Sequence, residues 1–486
     1  MLVSFWRKRF ARFLLAVVLG LLMYTIDPLG LNPAAAALLA VALFMIVLWV
    51  TEALSMPVVA LIPLFVFPLL KIQPLEEVSK AYANPVIFLF LGGFLLGLAI
   101  EKWDLHRRIA LGIIRMTGSS GDRIILGFIL STSFISLWLS NTATTMMMFP
   151  IALSVIQVLK QKKELEGSLD HFSITLMLAI AYASNLGGIG TIIGTPPNVA
   201  YVAYIEKEVP GLQIGFLNWM LLALPLGLLL VLTLYVVMVK WLYPNRIRSS
   251  EMMDAVIESE WKAMGPMTGS QKRVLWIFGF TVLLWMTRVL INQIQPWIVL
   301  DDTLIALLGG FGLFLCPVHP SDRKEDATDT HLLEWQDTEK LAWGILLLFG
   351  GGLALAGALE KAGLISQLGI WLSQYATAGF WLVLLITTLS LFISELMSNV
   401  AQVIVFAPVV TALATALGMN PLLLGIPMTL AASCAGMLPM GTPPNAIVFA
   451  SGQLRLRHML IVGGVMNLIA IVLITLFSWF LLPMIF

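Results

Sequence analysis

The chain has 486 residues, of which 59% are hydrophobic and only 11% are charged, and its formal net charge is +1. A soluble domain has about a quarter charged residues and just under half apolar ones, so this composition excludes an ordinary soluble protein. A net charge near zero gives no reason to expect a nucleic-acid partner. The sequence therefore predicts an all-α polytopic membrane protein embedded in a lipid bilayer.

The apolar residues come in blocks, and a bilayer core about 30 Å thick needs roughly 20 apolar residues as a helix. Some blocks are shorter than this, so a helix that spans the bilayer there must include neighbouring neutral residues. We expect about eleven spanning helices. In chain order the blocks are Phe13–Thr25, Ala34–Val50, Val58–Leu70, Val86–Ile100, Ile174–Ile193, Phe216–Val239, Val274–Leu290, Thr303–Cys316, Leu341–Leu359, Leu422–Leu438 and Leu460–Phe486.

Lys and Arg residues fall mainly in alternate connecting segments. If the N-terminus is cytoplasmic, all of the 28 basic residues except Lys71, Lys80, Lys207, Arg288 and Lys361 lie in cytoplasmic segments. This bias matches the positive-inside rule and predicts a cytoplasmic N-terminus and an external C-terminus. The assignment holds only if two further apolar stretches enter the membrane and return on the same side.

The first such stretch lies between Arg123 and Lys160 and has a polar middle around Ser140-Asn141-Thr142. Two spanning helices need about 40 apolar residues and a wetted turn. Because both ends are basic and each arm has only about 17 residues, we predict a re-entrant hairpin whose tip lies deep in the bilayer. For a single copy, an ordinary helix cap is the alternative reading of Ser and Asn.

The chain presents the same features twice, in the same order and about 250 residues apart. The pairs are Leu91-Gly92-Gly93 with Gly350-Gly351-Gly352, Glu101-Lys102 with Glu360-Lys361, Ser140-Asn141-Thr142 with Ser398-Asn399-Val400, and Gly194-Thr195-Pro196-Pro197-Asn198 with Gly441-Thr442-Pro443-Pro444-Asn445. The charge pattern places Lys102 inside and Lys361 outside, so the two halves are inverted and the second hairpin, over 379–419, enters from the opposite side. Inverted repeats with interrupted helices are typical of secondary transporters, whose sites lie near the midplane.

Each hairpin tip and each Gly-Thr-Pro-Pro-Asn segment is expected to leave backbone groups unpaired inside the membrane. A broken helix has free carbonyl groups at one end and free N–H groups at the next beginning. Carbonyl oxygens suit a small hard cation such as sodium, and N–H groups at a helix start suit a carboxylate. Glu395 could carry a proton, neighbour a cation or brace the hairpin; we favour the brace, because the first half has Leu137 at the matching place.

Other chemistry finds little support in the sequence. The five histidines have no metal-ligand spacing, and Cys316 and Cys434 lie in apolar blocks where small buried residues are expected. An intramembrane enzyme needs a nucleophile–base pair or a metal cluster, and a channel needs rings of charge or a repeated filter. We therefore expect a transporter and not an enzyme.

At these motifs the chain resembles the divalent anion/sodium symporter family, the di- and tricarboxylate transporters that include the INDY proteins. The resemblance runs from about Ala34 onward. It implies eleven spans, two opposed hairpins, a homodimer, and an elevator mechanism in which a transport domain slides along a scaffold. It further implies a plasma membrane of the bacterial inner-membrane type and import of a succinate-, malate- or fumarate-like anion with sodium ions. A sodium-independent exchanger, or a carrier of citrate or sulfate, is the alternative.

The resemblance also divides the chain into five parts. Residues 1–120 are the first half of the scaffold, and 121–240 are the first half of the transport domain. Residues 241–272 form a cytoplasmic linker. The second half of the scaffold is 273–378, with a cytoplasmic loop at 317–340, and the second half of the transport domain is 379–486.

Carried over position by position, the resemblance implies two sodium sites and one anion site. The sodium sites consist of Ser136, Ser140, Asn141 and Gly194 in the first half and of Ser394, Met397, Asn399 and Gly441 in the second. The anion site consists of Ser140, Asn141, Thr142, Thr195 and Pro196 with Ser398, Asn399, Val400, Thr442 and Pro443. Val400 departs from the family pattern, which has Thr there, and an unpaired hydrogen-bond partner costs about 1–3 kcal/mol.

Overall fold

A computed structural model describes residues 2–27, 30–118, 120–160, 166–209, 211–245, 247, 251–295, 297–322 and 330–486. Over these ranges the chain is helical and has no β-strand beyond an isolated bridge between Pro317 and His331. The prediction of an all-α protein is confirmed. Some basic residues of the charge pattern lie outside the described residues: Lys162, Lys163, Arg246, Arg248, Arg323 and Lys324.

The described α-helices are numbered in chain order. They are α1 (Leu2–Ile26), α2 (Pro33–Thr51), α3 (Met56–Ala60), α4 (Ile62–Leu69), α5 (Leu75–Tyr82), α6 (Pro85–Lys102), α7 (Leu105–Thr117), α8 (Gly121–Ser136), α9 (Asn141–Lys160), α10 (Glu166–Gly188), α11 (Pro196–Glu208), α12 (Phe216–Tyr235), α13 (Glu251–Ala263), α14 (Gly269–Ile294), α15 (Asp302–Leu315), α16 (Trp343–Lys361), α17 (Leu364–Ser373), α18 (Phe380–Ser394), α19 (Asn399–Ala416), α20 (Leu422–Ala432), α21 (Pro443–Phe449), α22 (Leu456–Phe480) and α23 (Leu482–Ile485). A π-helix, Val236–Leu242, extends α12.

Many of these helices suit a bilayer. By length and composition, nine helical stretches of the described residues are long and apolar enough to cross a membrane, and five apolar ones of 10–17 residues are shorter. The shorter ones include Met56–Leu69 and Asp302–Leu315, which occupy two of the predicted blocks. The count of eleven crossings stays a prediction.

Helix starts follow polar caps and prolines. Asn84 accepts a hydrogen bond from the Val86 N–H at 2.9 Å, and Pro85 begins α6. Asp301 caps α15 in the same way, since its carboxylate accepts the Leu304 N–H at 2.8 Å. These side chains satisfy N–H groups that have no partner within the helix.

The four interruptions that the sequence predicts are all present as breaks between helices. One lies between α8 and α9, and its repeat counterpart lies between α18 and α19. The two Gly-Thr-Pro-Pro-Asn segments lie between α10 and α11 and between α20 and α21. In both of the latter, the two prolines occupy the first positions of the following helix, where a missing N–H breaks no helical hydrogen bond.

The repeat is also visible in helix packing. A side chain on Gly92 of α6 would clash with the backbone of Ala306 in α15, at 2.5 Å from its carbonyl carbon. A side chain on Gly351 of α16 would clash with Ala60 in α3. Because glycine at matching positions lets two helices approach closely, the paired glycine motifs have a packing role in both halves.

The segment between α12 and α14 contains an ordered helix. Arg107 of α7 forms an ion pair with Glu260 of α13, and Arg115 approaches Glu258 at 3.2 Å. In the later loop, Asp337 forms an ion pair with Lys102 at 2.7 Å. The described parts of the linker and of the loop therefore pack on the region where α6 and α7 meet.

Candidate functional site

The first tip, between α8 and α9, is rich in oxygen atoms. Ser136 Oγ lies 2.8 Å from Asn141 Oδ1 and 2.8 Å from the carbonyl oxygen of Ser184. The Ser136 hydroxyl is fully buried and has one proton, so it can donate to one of these acceptors at a time. Both neighbours of the Ser136 hydroxyl are oxygen atoms, the kind of ligand that a hard cation takes.

The segment between α10 and α11 brings further oxygen atoms to this tip. A methyl group on Gly194 would clash with the carbonyl oxygen of Gly188 and lie 2.9 Å from that of Ser136. A methyl group on Gly188 would clash with Asn141 Oδ1 and lie 3.2 Å from the carbonyl oxygen of Gly194. The space that the two missing side chains leave is therefore lined by oxygen, the ligand that a hard cation takes.

Threonine and asparagine side chains hold this segment unwound. Thr191 Oγ1 donates to the carbonyl oxygen of Leu137 at 2.5 Å and accepts the Gly194 N–H at 2.9 Å. Asn198 Nδ2 donates to the Thr191 carbonyl oxygen at 2.8 Å. The unwound backbone is thus fixed to the first tip by side chains of its own segment.

The second tip, between α18 and α19, repeats part of this arrangement. Ser394 Oγ donates to the carbonyl oxygen of Ala432 at 2.5 Å, as Ser136 approaches that of Ser184. Asn399 Oδ1 accepts the N–H of Val400 at 2.9 Å.

The surroundings of Gly441 differ from those of Gly194. A methyl group on Gly441 would lie 3.1 Å from Glu395 Oε2 and 3.4 Å from the carbonyl oxygen of Leu438. The two cation regions are therefore not copies of one another.

Glu395 is a buried brace. Its carboxylate accepts the N–H groups of Gly436, Met437 and Leu438 at 2.8, 2.8 and 2.9 Å and the side-chain amide of Asn467 at 2.8 Å. The side chain is 3% exposed. Four donors satisfy a buried carboxylate, and three of them join the start of the second tip to the unwound segment after α20, as expected of a brace.

Asn185 of α10 connects the two halves, and sequence reasoning missed it. Its Oδ1 accepts from Asn141 Nδ2 at 3.4 Å, and its Nδ2 donates to Thr442 Oγ1 at 3.0 Å. A single asparagine in an apolar stretch was its one signal in the sequence.

One cavity of about 910 Å³ brings the predicted anion residues together. All ten line it: Ser140, Asn141, Thr142, Thr195, Pro196, Ser398, Asn399, Val400, Thr442 and Pro443. Of the predicted sodium residues, Ser140, Asn141, Met397, Asn399 and Gly441 also line it. Ser136, Gly194 and Ser394 are not among the lining residues and are buried.

The cavity wall contains two donors without a partner and ends at a charged rim. The Trp138 indole nitrogen and the Thr195 hydroxyl are buried and have no hydrogen-bond partner among the described residues. Four exposed charged residues lie at the rim: Arg12, Glu52, Glu101 and Lys340. In the described part of the chain, no ion pair joins these four to any other residue. A charged rim around an apolar and polar cavity suits the passage of small ions.

Comparison with known proteins adds the family. The model of the sodium:sulfate symporter transmembrane region matches residues 7–485. A sodium-dependent dicarboxylate transporter, SdcS of Staphylococcus saprophyticus, is 36% identical over 97% of this chain and 91% of its own length. The protein of the same name from Staphylococcus aureus strain USA300 is 35% identical over 97% and 92%.

Two solved structures share the fold at low sequence identity. The YdaH transporter of Alcanivorax borkumensis has a TM-score of 0.55 at 11% identity and covers 84% of this chain and 87% of its own. MtrF of Neisseria gonorrhoeae, described within a class of antimetabolite efflux pumps, has a TM-score of 0.52 at 12% identity, with 83% of each chain covered. At these identities both likenesses show the fold alone.

Proposed function

This chain belongs to the sodium:sulfate symporter family, the divalent anion/sodium symporters, and from that premise we propose that it carries a dicarboxylate across the membrane together with sodium. Membership makes the chain an integral membrane transporter and not an enzyme. The observation that carries the proposal is the cavity in which both tips and both Gly-Thr-Pro-Pro-Asn segments meet. The names of the SdcS relatives supply the dicarboxylate and the sodium.

The anion is assigned to the starts of α9 and α19. Free N–H groups at a helix start attract a carboxylate. The starts of α11 and α21 are occupied by two prolines each, which have no N–H to offer. A molecule with two carboxylates fits two such starts that line the same cavity, one from each half, with the Trp138 and Thr195 donors nearby.

Sodium ions are assigned to the oxygen-lined spaces behind the tips. For the first site, the carbonyl oxygens of Ser136, Gly188 and Gly194 join Asn141 Oδ1 and the Ser136 hydroxyl. Gly188 is thereby added to the four residues expected from the sequence. For the second site, Ser394, Met397, Asn399 and Gly441 stay the candidates. Because Asn141 belongs to both the cation and the anion set, sodium binding would prepare the anion site.

We propose an elevator movement. It uses the domains, the two hairpins and the homodimer that the sequence predicts. The transport domain, 121–240 and 379–486, contains both tips and both unwound segments. The scaffold consists of 1–120 and 273–378. We also propose a cytoplasmic N-terminus and an external C-terminus. The linker, the loop and the α6–α7 region are all predicted to be cytoplasmic, and ion pairs hold them together, which supports this orientation.

Uptake into proteoliposomes tests the proposal. Labelled succinate, malate, citrate and sulfate are offered with an inward gradient of sodium or, in the control, of potassium. We expect uptake of the four-carbon dicarboxylates that requires sodium. Uptake indifferent to sodium, with counterflow, would favour the exchanger, and preference for citrate or sulfate would replace the substrate.

A pair of variants ties the uptake to the site. Asn141→Ala removes the side chain shared by the cation and anion sets, and we expect at least a tenfold loss of uptake. Asn292→Ala is the matched control, because Asn292 of α14 binds the Leu300 backbone at 2.8 Å and is not among the cavity-lining residues. Equal activity of the two variants would contradict the assigned site.

A further inference from the structure

The repeat predicts that the residues matching one side of the open cavity form a counterpart elsewhere in the molecule. A shift of 259 residues along the sequence aligns Glu101-Lys102 with Glu360-Lys361. The same shift carries Gly93, Phe94 and Gly97, which line the open cavity, onto Gly352, Leu353 and Ala356. These last three residues line a slit of about 10 Å³ between α11, α16 and α19.

The slit is too small for a solute. A cavity needs about 10–15 Å³ to hold a single water molecule. Ile404 of α19 occupies the space beside Gly352, because its Cγ2 atom would lie 2.5 Å from a methyl group on that glycine. Its side chain therefore fills the slit. The shift of 258 residues that relates the two tips carries Met146, which lines the open cavity, onto Ile404. The slit is therefore the counterpart of the open cavity in the second repeat, and the slit is closed.

Lys207 lies across this closed opening. It is exposed, follows the slit residue Tyr204 by about one turn of α11, and donates to the carbonyl oxygen of Leu353 in α16 at 3.3 Å. A methyl group on Gly357 would lie 2.6 Å from Lys207 Nζ, so the ammonium group rests on the α16 backbone. The charge map of the sequence puts Lys207 on the side opposite the open cavity's rim.

We infer that the slit is the second entrance of the solute path and that Lys207 holds it closed by its bond from α11 to α16. This rests on the proposed function, in which α11 belongs to the transport domain and α16 to the scaffold. For the slit to admit an anion, α11 must separate from α16 and the bond to Leu353 must break. The ammonium group then stands free at the entrance.

Cysteine labelling tests the inference in the full-length protein. The background carries Cys316→Ser and Cys434→Ala, and the probe is Ala356→Cys, at a slit position that is 5% exposed. A polar maleimide is applied in detergent, without sodium or dicarboxylate, so that the reagent reaches both faces. We expect Lys207→Gln to raise the labelling rate at least threefold, and Lys207→Arg to restore the slow rate.

Two controls make the outcome specific. Lys361→Gln removes the same charge from an exposed lysine that pairs with Glu77 at 2.7 Å and is not among the slit-lining residues, and we expect the parental rate. Ala446→Cys probes the open cavity, and its labelling should fall when Lys207→Gln opens the slit.

Two results would overturn the inference: equal rates for Lys207→Gln and Lys361→Gln, or a rise at both probes, which indicates unfolding in place of opening. Sodium-driven uptake with unchanged labelling would leave the proposed function in place. Changed labelling without uptake of any anion would refute the proposed function alone.

Discussion

Ser136→Ala should weaken sodium binding at the first tip. The substitution removes a buried hydroxyl that lies 2.8 Å from Asn141 Oδ1 and 2.8 Å from the Ser184 carbonyl oxygen. Ser136 is fully buried and is not among the cavity-lining residues, so water has little access to replace the lost hydroxyl. Loss of a buried hydrogen-bond partner costs about 1–3 kcal/mol. Because 1.4 kcal/mol corresponds to about tenfold in affinity, we expect the sodium concentration for half-maximal effect to rise by roughly 5- to 150-fold.

The assay is thermal unfolding of the purified protein at increasing sodium, with potassium as the replacement ion. A ligand that binds the folded state raises Tm in proportion to the logarithm of its concentration above Kd. In the variant that rise should begin at higher sodium. A purely structural effect would lower Tm equally at every sodium concentration.

Ser133→Ala is the matched control. It removes a serine hydroxyl from the same helix, also buried, whose partner is the Ile129 carbonyl oxygen one turn earlier at 2.7 Å. We expect its sodium dependence to equal that of the parent. The reasoning is wrong if the two alanine variants respond to sodium alike.

Three further predictions address the second tip and the loop. Val400→Thr should lower KM for succinate by about fivefold, the effect of about 1 kcal/mol from one new hydrogen bond, whereas Val400→Ala should not lower it. Glu395→Gln should reduce Tm, because an amide nitrogen would face N–H donors and hydrogen bonds to a charged group contribute about 1.5–3 kcal/mol each; an unchanged Tm would contradict the brace. Hydrogen bonds from the Thr330 side chain and backbone lower the pKa of Glu334 from 4.5 to about 2, so its stabilisation of the loop is complete above pH 4.5 and is lost as pH falls toward 2. Hydrogen exchange at the Thr330 and His331 amides, corrected for intrinsic rates, should show less protection at pH 2 than at pH 5; equal protection would contradict it.

The interruptions of the helices could be predicted because their causes are local. Two consecutive prolines and a Ser-Asn pair disturb a helix wherever they occur in an apolar block. Pro196 and Pro443 begin helices, and Asn141 and Asn399 are the first residues of the helices after the tips, as the motifs indicate. The length of each crossing was less certain, since apolar composition is the same in a full span and in a half-helix.

The residues that connect these elements could not be predicted, because packing alone brings them together. Asn185 lies 44 residues from Asn141 and 257 from Thr442, yet it hydrogen-bonds to both. Gly188 belongs to the site because Asn141 Oδ1 and the carbonyl oxygen of Gly194 lie beside it, and both are brought there by folding. Long-range contacts of this kind leave no periodic or compositional mark in the chain.

The two halves solve the same structural problem with different chemistry, and this difference bears on sodium. In the first half the Thr191 hydroxyl fixes the unwound segment to the carbonyl oxygen of Leu137, so the tip region gains no charge. In the second half the carboxylate of Glu395, in the position that matches Leu137, accepts three backbone N–H groups of the unwound segment.

A fixed negative charge therefore lies 3.1 Å from the place of a methyl group on Gly441, while only neutral oxygens face Gly194. A cation near Gly441 would be attracted by a full charge at low dielectric, whereas one near Gly194 depends on dipoles. We accordingly expect Ser136→Ala and Ser394→Ala to affect sodium unequally, with the larger loss at the first tip. Equal losses would show that the Glu395 charge is fully offset by its four donors.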